Sequence, residues 1–206
     1  LAVGSYEKSI QINPQFYKAF FALGLAKSSM NDTEGALESL QKAIDIYPGY
    51  DKAYGAMGDI YIQQKDFDSA KQTLKMATTV NPNYSKGYAN LGVIYSEEEN
   101  WNQAISSLEM AVALNERDAM SFFRLSGAHN MNGDCDSALD AARKSTELKN
   151  RFGGAWFELG IAEWCNGSGN KAGALNAFEK ARGDRAWRKM AEYEIDKLKN
   201  PQKYVK

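Results

Sequence analysis

The sequence predicts an all-α protein built from stacked pairs of helices, because three sets of residues recur along it. Glycines recur every 34 residues, at Gly24, Gly58 and Gly92. Aromatic residues keep the same step at Phe20, Tyr54, Tyr88, Phe122 and Trp156. Alanines follow twelve residues after the glycine positions, at Ala36, Ala70, Ala104 and Ala138. Such a period is typical of repeat proteins, whose units bury their apolar faces only against neighbouring units.

Each 34-residue period predicts two helices. In the first helix, Phe20, Leu23 and Gly24 lie at i, i+3 and i+4, which is one helical stripe. The second helix begins after a short polar residue whose side chain accepts a hydrogen bond from an unpaired backbone N–H, at Asp32, Asp66, Asn100 and Asp134. Prolines end the second helix at Pro14, Pro48 and Pro82. We expect the small residues to let the paired helices approach closely, with Gly24 against Ala36.

This order of residues resembles the tetratricopeptide repeat family: aromatic, Leu, Gly, Tyr (Tyr61, Tyr95), Ala, a large apolar residue, Ala and Pro. The resemblance covers nearly the whole chain and implies a right-handed α-α superhelix, a solenoid of helix-turn-helix repeats. We expect repeats at 17–50, 51–84, 85–118, 119–152 and 153–188. The fourth departs from the family pattern, and we expect looser packing there, at Ser126, His129, Ala142 and Ser145.

The two ends of the chain have separate predictions. Residues 1–16 fit only the second helix of a partial repeat, so we expect the chain to start inside a repeat and to belong to a longer protein. Residues 184–206 predict a capping helix and tail, whose apolar side covers the last repeat: Trp187, Met190, Ala191, Tyr193 and Leu198.

Composition excludes several classes of partner. The 206 residues carry a net charge of −1, so we expect no overall attraction to nucleic acid or to an anionic membrane. Apolar runs are too short to insert into a bilayer. Cys135 and Cys165 are expected to be free thiols, with a single bridge as the less favoured alternative. The residues do not indicate a compartment.

A glycine-rich stretch, CNGSGNKAGAL at 165–175, has the outline of a phosphate-binding loop. However, Ala174, Phe178 and Ala181 are all displaced by two residues from the repeat spacing, which indicates a lengthened turn with Asn170 as the helix N-cap. A phosphate loop would follow a strand and end in Gly-Lys-Ser/Thr. With one histidine and no zinc-ligand spacing or activated nucleophile, we expect no enzyme activity, cofactor or metal site.

The family resemblance implies that the first helices line a concave groove that binds peptides or protein segments. The residues expected on or near that groove face are Lys18, Phe21, Leu25, Lys52, Asp59, Lys86, Asn90, Val93, Phe123, Arg124, Phe157, Ile161 and Trp164. Lysines form a column along one edge, and much of the rest is apolar, so we expect an apolar partner segment with acidic flanks. The alternative, that the lysines are merely solvated and the aromatic residues partly buried between helices, stays open.

Two family specialisations are not matched. Phe21 and Leu25 occupy the places of the Lys and Asn that hold a terminal carboxylate in chaperone-tail binders. The asparagine-ladder column reads Ala22, Ala56, Asn90, Arg124 and Glu158. Three hypotheses remain: a non-catalytic interaction scaffold, a structural protein that assembles with itself, and the targeting region of a larger protein whose enzyme domain lies outside this chain.

Overall fold

The computed structural model describes residues 2–165 and 169–204, which form twelve α-helices and no strand. The helices are α1 Ala2–Ile12, α2 Tyr17–Ser29, α3 Thr33–Ile46, α4 Asp51–Gln64, α5 Phe67–Val80, α6 Ser85–Glu97, α7 Trp101–Leu114, α8 Ala119–Asn132, α9 Cys135–Leu148, α10 Gly153–Glu163, α11 Lys171–Arg182 and α12 Arg188–Lys199. A short 3-10 helix follows at Pro201–Lys203. The predicted all-α class is confirmed.

The chain divides into two compact units, Leu1–Ile94 and Tyr95–Lys206, here called unit 1 and unit 2. The boundary falls within α6. In unit 1, the first helices α2 and α4 pack on the second helices α3 and α5, and α2 also contacts α4. In unit 2, α8 and α10 pack on α9 and α11, and α8 contacts α10. Within each unit, the first helices therefore form a common face, here called the groove face.

Side-chain caps begin the second helices as the sequence predicts. The Asp32 Oδ1 atom accepts a hydrogen bond from the Gly35 N–H at 3.0 Å, and Asp66 accepts one from Ser69 at 3.1 Å. Equivalent caps are made by Asn100, Asp134 and Asn170. Each cap satisfies a backbone donor that the helix leaves unpaired, so the polar residue determines where the helix begins.

The small residues pack closely, although their partners differ in part from the prediction. A Cβ atom on Gly24 would lie 2.7 Å from the Leu40 side chain and 3.1 Å from the Ala36 carbonyl oxygen. A Cβ atom on Gly58 would lie 2.6 Å from Leu74. The recurring glycine therefore makes room mainly for a leucine of the paired helix. The alanine columns are fully buried beside these contacts: Ala36, Ala70, Ala104, Ala138 and Ala174.

The looser packing expected in the fourth repeat is wrong at the substituted positions. Ser126, Ala142 and Ser145 have no exposed surface, and His129 is 6% exposed. The Ser126 Oγ donates a hydrogen bond to the Ala138 carbonyl at 2.8 Å, and the Ser145 Oγ donates one to the Ala119 carbonyl at 2.7 Å. Hydroxyl groups that bond to neighbouring helix carbonyls fill these positions at little cost, because a buried polar group is tolerated once it is hydrogen-bonded.

Helix α12 covers the end of unit 2 with one face. Ala191, Ile195 and Leu198 are buried in a cluster with Phe178 and other residues of α10 and α11. Met190 and Tyr193, expected on the covering side, are 45% and 52% exposed and lie on the outer side instead. The amphipathic capping helix is therefore present, with Ile195 rather than these two residues completing its apolar face.

The lengthened turn precedes α11, and Ala174, Phe178 and Ala181 are buried in that helix as the two-residue displacement predicts. The middle of the turn, residues 166–168, lies outside the described residues. The turn follows helix α10 and not a strand. The context of a phosphate-binding loop is therefore missing.

A disulfide joins Cys135, the first residue of α9, to Cys165, just after α10, and their Cα atoms are 5.8 Å apart. The expectation of free thiols is wrong. The sequence separation of 30 conceals the proximity of the cysteines, which arises because successive repeats place equivalent turns side by side. Among the described residues, no helix is long and apolar enough to cross a membrane.

Candidate functional site

Aromatic rings cluster on the groove face of unit 1. The Phe21 ring meets the Tyr50 ring edge-on, with centroids 5.1 Å apart, and Tyr50 also contacts Tyr17 at 4.9 Å. Leu25, one helical turn after Phe21, is 44% exposed. The Lys18 Nζ atom lies 5.8 Å from the Tyr17 ring centroid, within the range of a cation–π contact. This edge of unit 1 therefore presents an apolar surface beside a positive charge.

A carboxylate is neutralised within the same face of unit 1. The Lys86 Nζ donates to the Asp59 Oδ2 at 2.5 Å, and the Asn90 Nδ2 donates to the Asp59 Oδ1 at 2.6 Å. These three residues were predicted as separate groove positions, and the structure brings them into one network. Lys86 is therefore engaged within the protein, unlike Lys52, which is exposed on α4.

Tyr84 lies over Gly55 between two carboxylates of α4. A Cβ atom on Gly55 would overlap the Tyr84 hydroxyl, so the glycine provides the space for this phenol. Burial, together with the negative charges of Asp59 and Asp51, raises the pKa of Tyr84 to about 12. Asp51 is itself held by a hydrogen bond from the Asn81 Nδ2 at 2.5 Å. The phenol therefore remains protonated in this face.

The predicted groove aromatic residues of unit 2 are covered by the chain itself. The Phe123 ring contacts Phe152 at 4.9 Å and Trp187 at 5.7 Å, and the Phe157 ring contacts Trp187 at 5.2 Å. Phe157 also contacts Phe178 at 5.5 Å. Phe123 and Phe157 therefore follow the alternative expectation, in which the groove aromatic residues are partly buried between helices.

Sequence reasoning missed the aromatic residues that cover the groove positions. Residues just before the first helices keep the 34-residue step at Phe16, Tyr50, Tyr84 and Phe152, interrupted by Asp118. Tyr50 packs on Phe21, and Phe152 on Phe123, which in each pair lies on the preceding first helix. This second aromatic column was available in the periodicity and would have indicated that such rings contact the groove positions.

A second carboxylate lies on the groove face of unit 2, on Glu158 of α10. The Asn130 Nδ2 donates to the Glu158 Oε2 at 2.7 Å and also to the Glu158 carbonyl at 3.2 Å. Burial raises the pKa of Glu158, because desolvation outweighs the hydrogen bond from Asn130. In the sequence, Glu158 stands out only as a member of the column that does not match the asparagine ladder. Its hydrogen bond with Asn130 and its raised pKa are evident only from the structure.

The remaining predicted residues have distinct surroundings. Arg124 is partly buried, and this burial lowers its pKa against the opposing effect of Asp118. Ile161 and Trp164 line a cavity of about 290 Å³ together with Asn130 and Phe178. Val93 is partly buried on α6. The predicted residues thus form three groups: an apolar edge and a polar network in unit 1, and an aromatic cluster beside a cavity in unit 2.

In the described part of the chain, no group of three His, Cys, Asp or Glu side chains is arranged to hold a metal ion. His129 is buried, and its Nδ1 lies 3.3 Å from the Asp134 Oδ2 without a hydrogen bond of good geometry. Asp134 is occupied as the cap of α9. The contacts of His129 are those of a core residue.

Helix pairs repeated at 34 residues, with a common face of first helices, define a helical-repeat protein. Sequence models described as tetratricopeptide repeat match residues 27–92 and 88–120. Residues 27–120 therefore match the tetratricopeptide repeat family.

Solved structures share this fold. YrrB, described as a TPR protein with an unusual peptide-binding site, is 23% identical with a TM-score of 0.78, over 92% of this chain and 96% of YrrB. MamA is 24% identical with a TM-score of 0.71, over 89% of this chain and 94% of MamA. TTC0263, a thermophilic TPR protein of Thermus thermophilus, is 17% identical with a TM-score of 0.60, over 88% of this chain and 98% of TTC0263. The comparison with curated proteins finds no match.

Proposed function

We propose that this chain is a non-catalytic protein–protein interaction scaffold that binds a partner peptide or amphipathic helix on its groove faces. The observation that carries the proposal is the apolar edge of unit 1, where Leu25 is 44% exposed beside the Phe21 and Tyr50 rings. Exposed aliphatic and aromatic surface beside charge is typical of interaction sites. The similarity to YrrB, described as having a peptide-binding site, supports the same class of function.

Charge on this edge favours an apolar segment with an acidic flank. Lys18 and Lys52 are exposed, and neither has an ion pair within the described residues. Lys86 contributes less, because Asp59 already neutralises it. A carboxylate of the partner near Lys18 would add electrostatic complementarity, which raises the association rate and fixes the orientation of the bound segment more than it raises affinity.

Selection of binders from a random 12-residue peptide library on the 206-residue chain tests the proposal. We expect the selected peptides to be apolar with acidic residues at one end. Leu25→Ser should weaken their binding about tenfold, because it removes apolar contact area. Met76→Ser is the matched control, because Met76 is 43% exposed but lies on the second helix α5. Equal loss in both variants, or no selected peptide, would contradict the proposal.

Self-assembly is the competing structural hypothesis, and light scattering over a range of protein concentrations separates it from partner binding. A mass that stays monomeric rules out assembly through the groove faces, whereas a mass that rises with concentration favours it. Association that Leu25→Ser abolishes would identify a second copy of the chain as the occupant of the unit 1 face.

A further inference from the structure

Glu158 of unit 2 is a carboxylate without a cationic partner among the described residues. Its side chain receives a hydrogen bond from the Asn130 Nδ2 at 2.7 Å, and no ion pair to it is found there. Two cations of unit 2 are engaged elsewhere, Arg143 with Glu163 at 3.3 Å and Lys197 with Glu194 at 3.4 Å. Removing a carboxylate from water without a counter-charge is unfavourable, so this arrangement requires an explanation.

A second acceptor beside Glu158 also lacks a donor. The Asn130 Oδ1 atom is buried and makes no hydrogen bond within the described structure. The amide orientation is determined by its two acceptors, because the Nδ2 donates to both the carboxylate and the carbonyl of Glu158. Buried polar atoms are rarely left without a partner, so the pair of Asn130 and Glu158 is short of hydrogen-bond donors within the described residues.

The Glu158 carboxylate lies against a glycine of the facing helix α8, next to Asn130, which lines a cavity. A Cβ atom on Gly127 would have the Glu158 carboxyl carbon as its nearest neighbour, at 3.5 Å, so no side chain from α8 covers the carboxylate at that point. Asn130 lines a cavity of about 290 Å³, whose other lining residues include the apolar Ile161, Trp164 and Phe178 and the ion pair of Glu194 with Lys197. The volume lies at the lower limit of small-molecule pockets and suits one long side chain.

We propose that the groove face of unit 2 binds the lysine or arginine side chain of a partner segment, with the Glu158 carboxylate accepting its hydrogen bonds and Asn130 holding that carboxylate in place. Ile161, Trp164 and Phe178 contact the alkyl stem, because long basic side chains bury their methylene groups on apolar surface. This inference rests on the proposed function, since the partner segment supplies the cation. It extends that function by adding a basic residue to the apolar and acidic ones.

The chemistry favours a cation over other ligands for two reasons. The Glu158 carboxylate is an acceptor that lacks a counter-charge among the described residues, so a ligand must supply donors, and a guanidinium or ammonium supplies several at once. Charge-assisted hydrogen bonds to a carboxylate are about twice as strong as neutral ones, which compensates the desolvation that raises the pKa of Glu158.

Titration of the 206-residue chain with n-butylguanidinium, followed by NMR, tests the cation site without any knowledge of the partner. We expect saturable shifts of the Asn130 side-chain amide and the Trp164 indole N–H. The neutral analogue n-butylurea should produce neither shift. Glu158→Gln should weaken the response at least about tenfold, because it removes the charge and preserves the shape. An equal response to the two compounds, or none, would overturn the inference.

Asp59→Asn is the matched control, since Asp59 is already paired with Lys86 and Asn90; its titration should equal that of the wild type. Gly127→Lys is the second variant, because its added ammonium reaches Glu158 from within the chain and should remove the response while the fold is kept. Loss of the response in Asp59→Asn, or its persistence in Gly127→Lys, would count against Glu158 as the acceptor.

The peptide selection separates this inference from the proposed function. Wild-type chain should select peptides with Lys or Arg at one constant position, and Glu158→Gln should lose that position while it still selects apolar peptides. Selected peptides without a basic position would refute the cation site and leave the scaffold function standing. No selected peptide from any variant would refute the scaffold function itself.

Discussion

Asp59 of unit 1 and Glu158 of unit 2 are both carboxylates on a groove face, but they have opposite surroundings. Asp59 of unit 1 receives hydrogen bonds from Lys86 and Asn90, whereas Glu158 of unit 2 receives one from Asn130. The repeat register explains the difference. The positions 68 residues after Asp59, Lys86 and Asn90 are Gly127, Gly154 and Glu158. Unit 2 therefore places a carboxylate where unit 1 has an amide, and glycines where unit 1 has the charged partners.

Under the proposed function, one backbone framework supports two kinds of binding surface. In unit 1, the carboxylate is neutralised within the protein, and the charges left for a partner are Lys18 and Lys52. In unit 2, the carboxylate itself is left for a partner. Repeat proteins keep the residues that pack one helix on another and vary those on the open face, so a change of three side chains alters ligand preference without altering the fold.

The largest expected difference between the units comes from the disulfide. Replacing Cys135 and Cys165 together by Ser should lower the free energy of unfolding of unit 2 by about 3 kcal/mol, because the bridge closes a loop of about 30 residues in the unfolded chain. Hydrogen exchange measured helix by helix checks this. We expect faster exchange in α9, α10 and α11 and little change in α2 to α5. An equal change in both units would contradict the assignment of the effect to unit 2.

Two glycines on the groove faces should respond in opposite directions to the same substitution. Gly55→Ala should destabilise the protein by about 1–3 kcal/mol, because its new methyl group overlaps the buried Tyr84 hydroxyl. Gly127→Ala should stabilise it by about 0.5–1 kcal/mol, because alanine favours the helix and its Cβ would make an ordinary contact, at 3.5 Å, with Glu158. Denaturant unfolding measures both, and a loss of stability in Gly127→Ala would show that space is needed there.

The smallest effects should come from neutralising the two carboxylates. Asp59→Asn should destabilise the chain by about 0.5 kcal/mol at neutral pH, because it removes a partly exposed ion pair with Lys86. Glu158→Gln should raise the melting temperature at neutral pH, because it removes a charge whose ionised form the fold disfavours.

The sign of the pH dependence follows from the raised pKa of Glu158. Above that raised pKa the wild type keeps an unfavourable charge, so the advantage of Glu158→Gln is complete. As the pH falls through the raised pKa to the ordinary range of glutamic acid, the wild type binds a proton in the folded state and regains the stability. Melting curves of both proteins at several pH values should therefore converge at low pH. A constant difference would contradict a raised pKa.

Features that depend on residues close in sequence were predicted well. The N-cap residues, from Asp32 to Asn170, determine where helices begin through contacts three residues away. The displacement of Ala174 and Phe178 located the lengthened turn, because the burial period continues on its far side. These predictions succeeded because a helix relates spacing in sequence directly to position on a face.

Features that depend on contacts between elements were predicted only in part. The sequence placed Phe123 and Phe157 on the open face of their helices, but Trp187 from the segment before α12 covers both rings. The pairing of Cys135 with Cys165 was the less favoured alternative for the same reason. Periodicity tells which side of a helix a residue occupies and leaves open what packs against that side.

By itself, the sequence determined the class of the protein, its helix pairs, their caps and the buried columns. A 34-residue period of small and aromatic residues is satisfied only by units that bury their faces against one another. Tertiary structure decided which groove residues are engaged and which are left for a partner. Asp59 or Glu158 pairs with a cation only if side chains from different helices come within about 3 Å of each other. The repeat spacing of the sequence does not determine such distances.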